Sequence, residues 1–87
     1  MYKINKLCGI NDYSVIFDEK LDIDKVSNFF VKRNYEILEK DQEIARMYYN
    51  DKKVLIYYYG EIIFINFNEE EVKNICDEIE KILKEKN

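Results

Sequence analysis

VLIYYYGEIIFINF, residues 54–67, decides the fold because it holds two apolar segments separated by a single glycine. A strand with one face in water alternates apolar and polar residues, whereas both segments are apolar at nearly every position. Tight reversals favour a residue that tolerates positive φ, and Gly60 is the glycine of this stretch. The pattern predicts strands over 54–59 and 62–67, apolar on both faces, with a reversal at 60–61.

Alternation sends the side chains of these two strands to opposite faces of a sheet. We expect one face to pack under helices and to carry Val54, Ile56, Tyr58, Ile62 and Phe64. The opposite face then carries Leu55, Tyr57, Tyr59, Ile63, Ile65 and Phe67. Burying one large apolar side chain is worth roughly 1.5–3 kcal/mol, and monomeric proteins rarely leave so large an apolar patch in water. The opposite face is therefore predicted to contact another molecule.

The first half of the chain predicts a strand, a helix and a further strand. DYSVIF, residues 12–17, alternates like a half-buried strand, and residues 3–9 either extend it or form a short strand of their own. Asp22 is a suitable N-cap for a helix over about 22–33, where apolar residues recur at helical spacing. Residues 43–49 are predicted to form the next strand.

The last segment is predicted to be a helix over about 69–85. Asn68 and Glu71 have the spacing of a capping box. An apolar stripe follows with helical periodicity: Val72, Ile75, Cys76, Ile79, Ile82 and Leu83. Together the elements predict one α+β domain over residues 1–87. It has a curved antiparallel sheet of four to five strands and two helices on one face, in the order β-α-β-β-β(-β)-α.

Composition favours an interaction protein over an enzyme. The chain has 87 residues, 18 acidic and 14 basic side chains, no histidine and a net charge of −4, an acidic balance that disfavours a dedicated nucleic-acid binder. Cys8 and Cys76 lack metal-site spacing, and no serine or cysteine stands beside an evident base. We expect no catalytic residues, metal, cofactor or small-molecule substrate. Without a secretory signal or an apolar run of roughly 18 residues, we expect a cytoplasmic protein with reduced thiols and no membrane contact.

Two segments resemble the TATA-box-binding protein (TBP) family. KLDIDKVSNFFVKRNYEI, residues 20–37, resembles the family's segment of a basic residue, LDL, a helix and Glu-Tyr-Asn. VLIYYYGEIIFINFNEEEV, residues 54–72, resembles its stretch of LIF, a Ser-Gly-Lys turn, alternating valines and an acidic helix start. The resemblance runs without a gap from about residue 10 to residue 83. It implies a TBP-like repeat with the order strand, helix, four strands, helix.

In that family the sheet face without helices binds the DNA minor groove, and phenylalanines wedge between base steps. The resemblance puts one wedge on Tyr57 and the phosphate-contacting arginine on Arg46. A second wedge falls near Lys40, and the lysine of the turn falls on Glu61, which reverses its charge. The family's other groove residues fall on Ile10, Asp12, Ile63 and Ile65. The resemblance therefore implies the family's frame without most of its DNA-contacting side chains.

The family builds a saddle from two repeats, and this sequence contains one. A homodimer could restore the saddle edge to edge about a two-fold axis, or the apolar faces of two chains could stack as a sandwich. Two functions stay open. In the first, the chain is a non-enzymatic module that self-associates or docks a protein through its apolar face. Arg46 is part of that predicted interaction face. Alternatively, it is a homodimeric saddle that binds the minor groove of AT-rich DNA in transcription.

Overall fold

The computed structural model describes residues 1–85 and contains one antiparallel sheet and two helices. In chain order the strands are β1 (Tyr2–Lys6), β2 (Asp12–Phe17), β3 (Glu36–Lys40), β4 (Ile44–Tyr49), β5 (Lys52–Tyr57) and β6 (Glu61–Ile65). The helices are α1 (Ile23–Val31), which follows β2, and α2 (Glu69–Lys84), which follows β6. The sheet order is β1-β2-β6-β5-β4-β3. The α+β class is therefore confirmed.

The sheet is wider than the four to five strands predicted, because it has six. β1 is a separate strand at one edge, and β3 forms the other edge. All 5 residues of β3 are exposed, and its pairing with β4 shifts register between Ile37 and Glu39. A strand exposed at every position lacks the alternation that marks a half-buried strand. This explains why the sequence pattern did not locate β3.

Gly60 makes the tight turn between β5 and β6 possible. Its φ is 121°, and a Cβ at this position would lie 2.9 Å from the carbonyl oxygen of Glu19. Glycine is therefore required both by the left-handed backbone and by the space available. The turn occupies residues 58–60, rather than 60–61 as predicted.

Tyr58 belongs to this turn and does not pack under the helices. Its N–H donates to the carbonyl oxygen of Glu43 at 2.9 Å, and its own carbonyl accepts from the N–H of Leu21 at 2.8 Å. These bonds hold the backbone outside the β5–β6 ladder. The side chain is 39% exposed, so the prediction that Tyr58 lies on the helix-covered face is wrong.

α1 begins at the predicted N-cap. The carboxylate of Asp22 accepts the N–H of Lys25 at 3.1 Å, which satisfies one of the free donors of the first turn. The helix buries an apolar stripe at helical spacing: Ile23, Val26, Phe29 and Phe30. It ends at Val31, before Asn34 adopts a left-handed φ of 73°.

α2 has the predicted capping box at its first turn. The Asn68 side chain accepts the N–H of Glu71 at 2.8 Å, and the Glu71 carboxylate accepts the N–H of Asn68 at 3.0 Å. The stripe of the helix buries Val72, Cys76 and Ile79. Burial raises the pKa of the Cys76 thiol above its usual range, as expected for a cysteine in an apolar core.

The core lies between the two helices and one face of the sheet. Alternate residues of the four inner strands supply it: Tyr13, Val15, Phe17, Ala45, Met47, Val54, Ile56, Ile62 and Phe64. Both helices contribute buried apolar side chains to the same cluster. The intervening strand residues point the other way, and among residues 1–85 no helix covers that second face.

Candidate interaction surface

We call the second face of the sheet the bare face. Its centre is continuously apolar. Its apolar members are Ile16, Ile44, Leu55, Tyr57, Ile63 and Ile65. They are neighbours across the ladder, since Ile63 pairs with Leu55 and Ile44 pairs with Tyr57. Most are half-buried, because side chains on adjacent strands stand side by side. The bare face is therefore a coherent apolar patch rather than scattered exposed residues.

Most of the predicted interaction residues lie on the bare face or at its margin. Alternation from the buried positions puts Arg46, Leu55, Tyr57, Ile63 and Ile65 on it. Tyr59 lies in the turn after β5, where its ring stacks on Tyr57 with a centroid distance of 5.5 Å. Tyr59 is 56% exposed, so this stacked pair presents an aromatic surface to solvent at one end of the face.

Phe67 does not lie on the bare face, so the prediction that it belongs to the interaction face is wrong. Its side chain is 1% exposed, and its ring meets Phe64 edge-on at a centroid distance of 5.1 Å. β6 ends at Ile65, and Asn66 adopts a φ of 69°, which interrupts the alternation and turns Phe67 toward the core. The N–H of Phe67 then donates to the carbonyl oxygen of Asn11 at 2.8 Å.

Glu61 carries a negative charge into the bare face and is held there by two hydroxyl groups. The Ser14 hydroxyl donates to Glu61 Oε2 at 2.5 Å, and the Tyr59 hydroxyl donates to Glu61 Oε1. The bond to Glu61, together with partial burial, raises the pKa of Tyr59 to about 12. The carboxylate thus leans from β6 toward β2. Alternation put Ser14 on this side of β2, but only the pairing of β2 with β6 shows that it lies diagonally across from Glu61.

Arg46 lies across the bare face from Glu61 and forms a local ion pair. Its Nε donates to Glu39 Oε1 at 2.9 Å, and both side chains are about half exposed, 48% and 53%. A similar contact joins the same strands, since the Tyr48 hydroxyl donates to Glu36 at 2.6 Å and its pKa is raised by that bond. Neither acidic partner could be identified from the sequence, because the residue pattern did not locate β3.

A groove between the two helices is a competing site by shape. It encloses about 520 Å³ and is lined mainly by charged side chains. Arg33 spans it, donating to the carbonyl oxygen of Phe29 at 2.9 Å and to Glu78 at 3.1 Å. The guanidinium also lies 3.5 Å from the centroid of the Phe29 ring. These contacts join α1 to α2, so the groove residues already serve helix packing.

Other kinds of site find little support among the described residues. Within residues 1–85, no group of three or more His, Cys, Asp or Glu side chains is arranged to hold a metal ion. Over the same range, no helix has both the length and the apolar character needed to cross a membrane. Comparisons with protein-family models, curated proteins and solved structures give no match to this chain. Its function is therefore inferred from the chemistry of its own surfaces.

Proposed function

We propose that this chain is a non-enzymatic interaction module that self-associates or docks another protein through its bare face. The observation that carries the proposal is the apolar centre formed by Leu55, Tyr57, Ile63 and Ile65, on a sheet face that no helix within residues 1–85 covers. Contiguous apolar patches on soluble proteins mark binding surfaces, because water contact with so many apolar groups is unfavourable. Stacked tyrosines at one end add the aromatic character typical of protein interfaces.

The charges around this centre favour a protein partner over a nucleic acid. The face carries charges of both signs: the basic residues are Lys3, Arg46 and Lys53, and the acidic residues are Asp12, Glu36, Glu39 and Glu61. A polyanion would meet the acidic groups unfavourably, and counterion release needs cations that are free to contact phosphate. A rim of mixed sign instead suits another protein surface, which also carries both charges.

The order of the elements supports a TBP-like fold as part of this proposal. From β2 onward the chain runs strand, helix, four strands, helix, which is the order that the family resemblance implies. β1 is an addition to that order at the free edge of β2. We also propose a cytoplasmic location, in keeping with the free thiols of Cys8 and Cys76.

Photo-crosslinking in cells of the source organism tests the proposed function directly. The variant Tyr57→benzoylphenylalanine places a photoreactive group on the bare face, and Asn74→benzoylphenylalanine places one on the exposed side of α2 as a control. We expect position 57 to form a protein adduct and position 74 to form little or none. Mass spectrometry then identifies the adduct as a second copy or another protein. Equal adduct yields at both positions, or none at position 57, would refute the proposal.

Minor-groove DNA binding by a homodimer is the second candidate, supported by the same element order. It requires Arg46 to leave Glu39 for a phosphate and Glu61 to tolerate the DNA backbone nearby. This candidate predicts affinity for an AT-rich duplex that falls steeply with salt and drops on Arg46→Ala. Sedimentation with a labelled duplex at low salt tests it, and a duplex that sediments alone rules it out.

A further inference from the structure

The strand registers arrange the side chains of the bare face in three rows across the sheet. The first row runs Lys3, Ile16, Glu61, Tyr57, Ile44. The second row runs Asn5, Ser14, Ile63, Leu55, Arg46, Glu39. The third row runs Asp12, Ile65, Lys53, Tyr48, Glu36. The apolar centre lies on β6 and β5, while the charges differ between the two halves of the face.

The inner charges have opposite signs on the two sides of the β5–β6 boundary. Glu61 on β6 and Asp12 on β2 are acidic, and Lys53 on β5 and Arg46 on β4 are basic. A rotation of 180° about an axis parallel to the strands, at that boundary, exchanges β6 with β5 and β2 with β4. A face with this charge arrangement is complementary to its own rotated copy.

We propose that the occupant of the bare face is a second copy of this chain, stacked face to face about that two-fold axis. The proposal rests on the proposed function and names the partner. The rotation lays Ile63 against Leu55 of the second copy, within the same row, and lays Ile16 against Ile44 of the second copy. Aligned packing of two sheets accommodates this arrangement with a small angle between their strands.

The decisive contact pairs Arg46 with Glu61 of the second copy. The rotation brings Arg46 over Ser14 of the second copy, and the Ser14 hydroxyl lies 2.5 Å from a carboxylate oxygen of Glu61. The leaning of Glu61 toward β2 therefore carries its carboxylate under the arriving guanidinium. The ion pair with Glu39 uses Arg46 Nε, and the terminal nitrogens have further donors for a second carboxylate.

The competing two-fold axis, perpendicular to the strands, is disfavoured by charge. It would place β4 on β4 of the second copy and bring the two Arg46 side chains together in the second row. It would also lay Glu61 against Ile65 of the second copy, and the carboxylate, which leans toward β2, would then approach Asp12 of that copy. Like charges in contact oppose association, so the axis parallel to the strands is favoured.

The size of the face predicts a dimer that dissociates on dilution. Four inner strands about 4.8 Å apart and three rows about 6.7 Å apart cover on the order of 400 Å² in projection. A standard stable interface buries about 800 Å² on each partner. The dimer is therefore in the class of small, reversible interfaces, and its dissociation constant can be measured by sedimentation across a concentration series.

A double-mutant cycle on Arg46 and Glu61 tests the arrangement. Arg46→Ala and Glu61→Gln should each weaken the dimer about three- to ten-fold, since each removes two symmetric ion pairs. The double variant should be weakened no more than either single variant, because both remove the same contact. Lys32→Ala, an exposed residue beyond α1, serves as the control and should leave the dissociation constant unchanged. Circular dichroism verifies that each variant is folded.

The outcomes separate this inference from the proposed function. A tighter dimer with Arg46→Ala, or additive effects of the two substitutions on the dissociation constant, would overturn the two-fold arrangement. If Ile63→Glu still abolishes the dimer in that case, the bare face remains the interface. A wild-type chain that stays monomeric at millimolar concentration would overturn the second copy as occupant. In that case an adduct of Tyr57→benzoylphenylalanine with a different protein still supports the proposed function, and absence of any adduct refutes it.

Discussion

Phe67→Leu should lower the free energy of unfolding by about 1–2 kcal/mol, which combines a change of packed volume with loss of an aromatic pair. The Phe67 ring is 1% exposed, meets Phe64 edge-on at 5.1 Å, and lies 4.9 Å from the Lys52 ammonium. Full truncation, Phe67→Ala, would cost about 3–5 kcal/mol. That is a large share of the roughly 4–13 kcal/mol expected for a chain of 87 residues, so leucine is the better probe.

Urea unfolding followed by circular dichroism measures this effect, at protein concentrations below the dissociation constant of any dimer. With a slope of about 1 kcal/mol/M, the midpoint should fall by about 1–2 M. Ile65→Thr is the matched control, since it stays β-branched on the exposed side of the sheet and should cost less than about 1 kcal/mol. Equal losses, or a larger loss for Ile65→Thr, would refute the assignment of Phe67 to the core and Ile65 to the bare face.

Three further outcomes follow from local contacts. Asn68→Ala removes the cap of α2 and should lower the free energy of unfolding by about 1 kcal/mol, measured by thermal melting. An unchanged melting curve would contradict the capping box. Because the bond to Glu61 raises the pKa of Tyr59 from its ordinary value of 10.0 to about 12, the stability that this bond contributes is complete below pH 10 and is lost as the pH rises through 12. Tyr59→Phe should therefore remove one late phenolate from an ultraviolet titration, and Glu61→Gln should move that titration to lower pH. Exposed Cys8 should react with a thiol reagent in the native protein and buried Cys76 only on unfolding, so two fast thiols would contradict the burial of Cys76.

Much of the fold could be predicted because helix caps and buried alternation leave local signals. Asp22 and Asn68 mark helix starts by side-chain chemistry alone, and both cap as expected. Gly60 marked the reversal because its backbone needs positive φ. Strand ends were less predictable, since Tyr58 leaves the ladder through backbone bonds to distant residues that no local pattern specifies.

The apolar residues of the candidate surface could be predicted from the sequence, whereas the polar contacts on it could not. Alternation along a strand identifies which side chains share a face, so Tyr57 and Ile63 could be grouped from the sequence. The partners Ser14 and Glu39 depend on which strands are adjacent, and adjacency is a property of the whole chain. Asn66 shows the remaining limit, because one left-handed residue reversed the side on which Phe67 lies.

The two edge strands determine how far association of this protein can proceed. Lys3 and Lys6 place charges on β1, and the register shift in β3 disturbs the row of hydrogen-bonding groups that an added strand would need. Edges of this kind resist recruitment of further strands from solution. The sheet has one apolar face that favours association and two edge strands that disfavour further strand pairing. Association should therefore stop once the bare face is covered. Concentrated solutions of the protein should therefore contain closed assemblies of defined size, and fibril growth by addition of strands to the sheet edges is disfavoured.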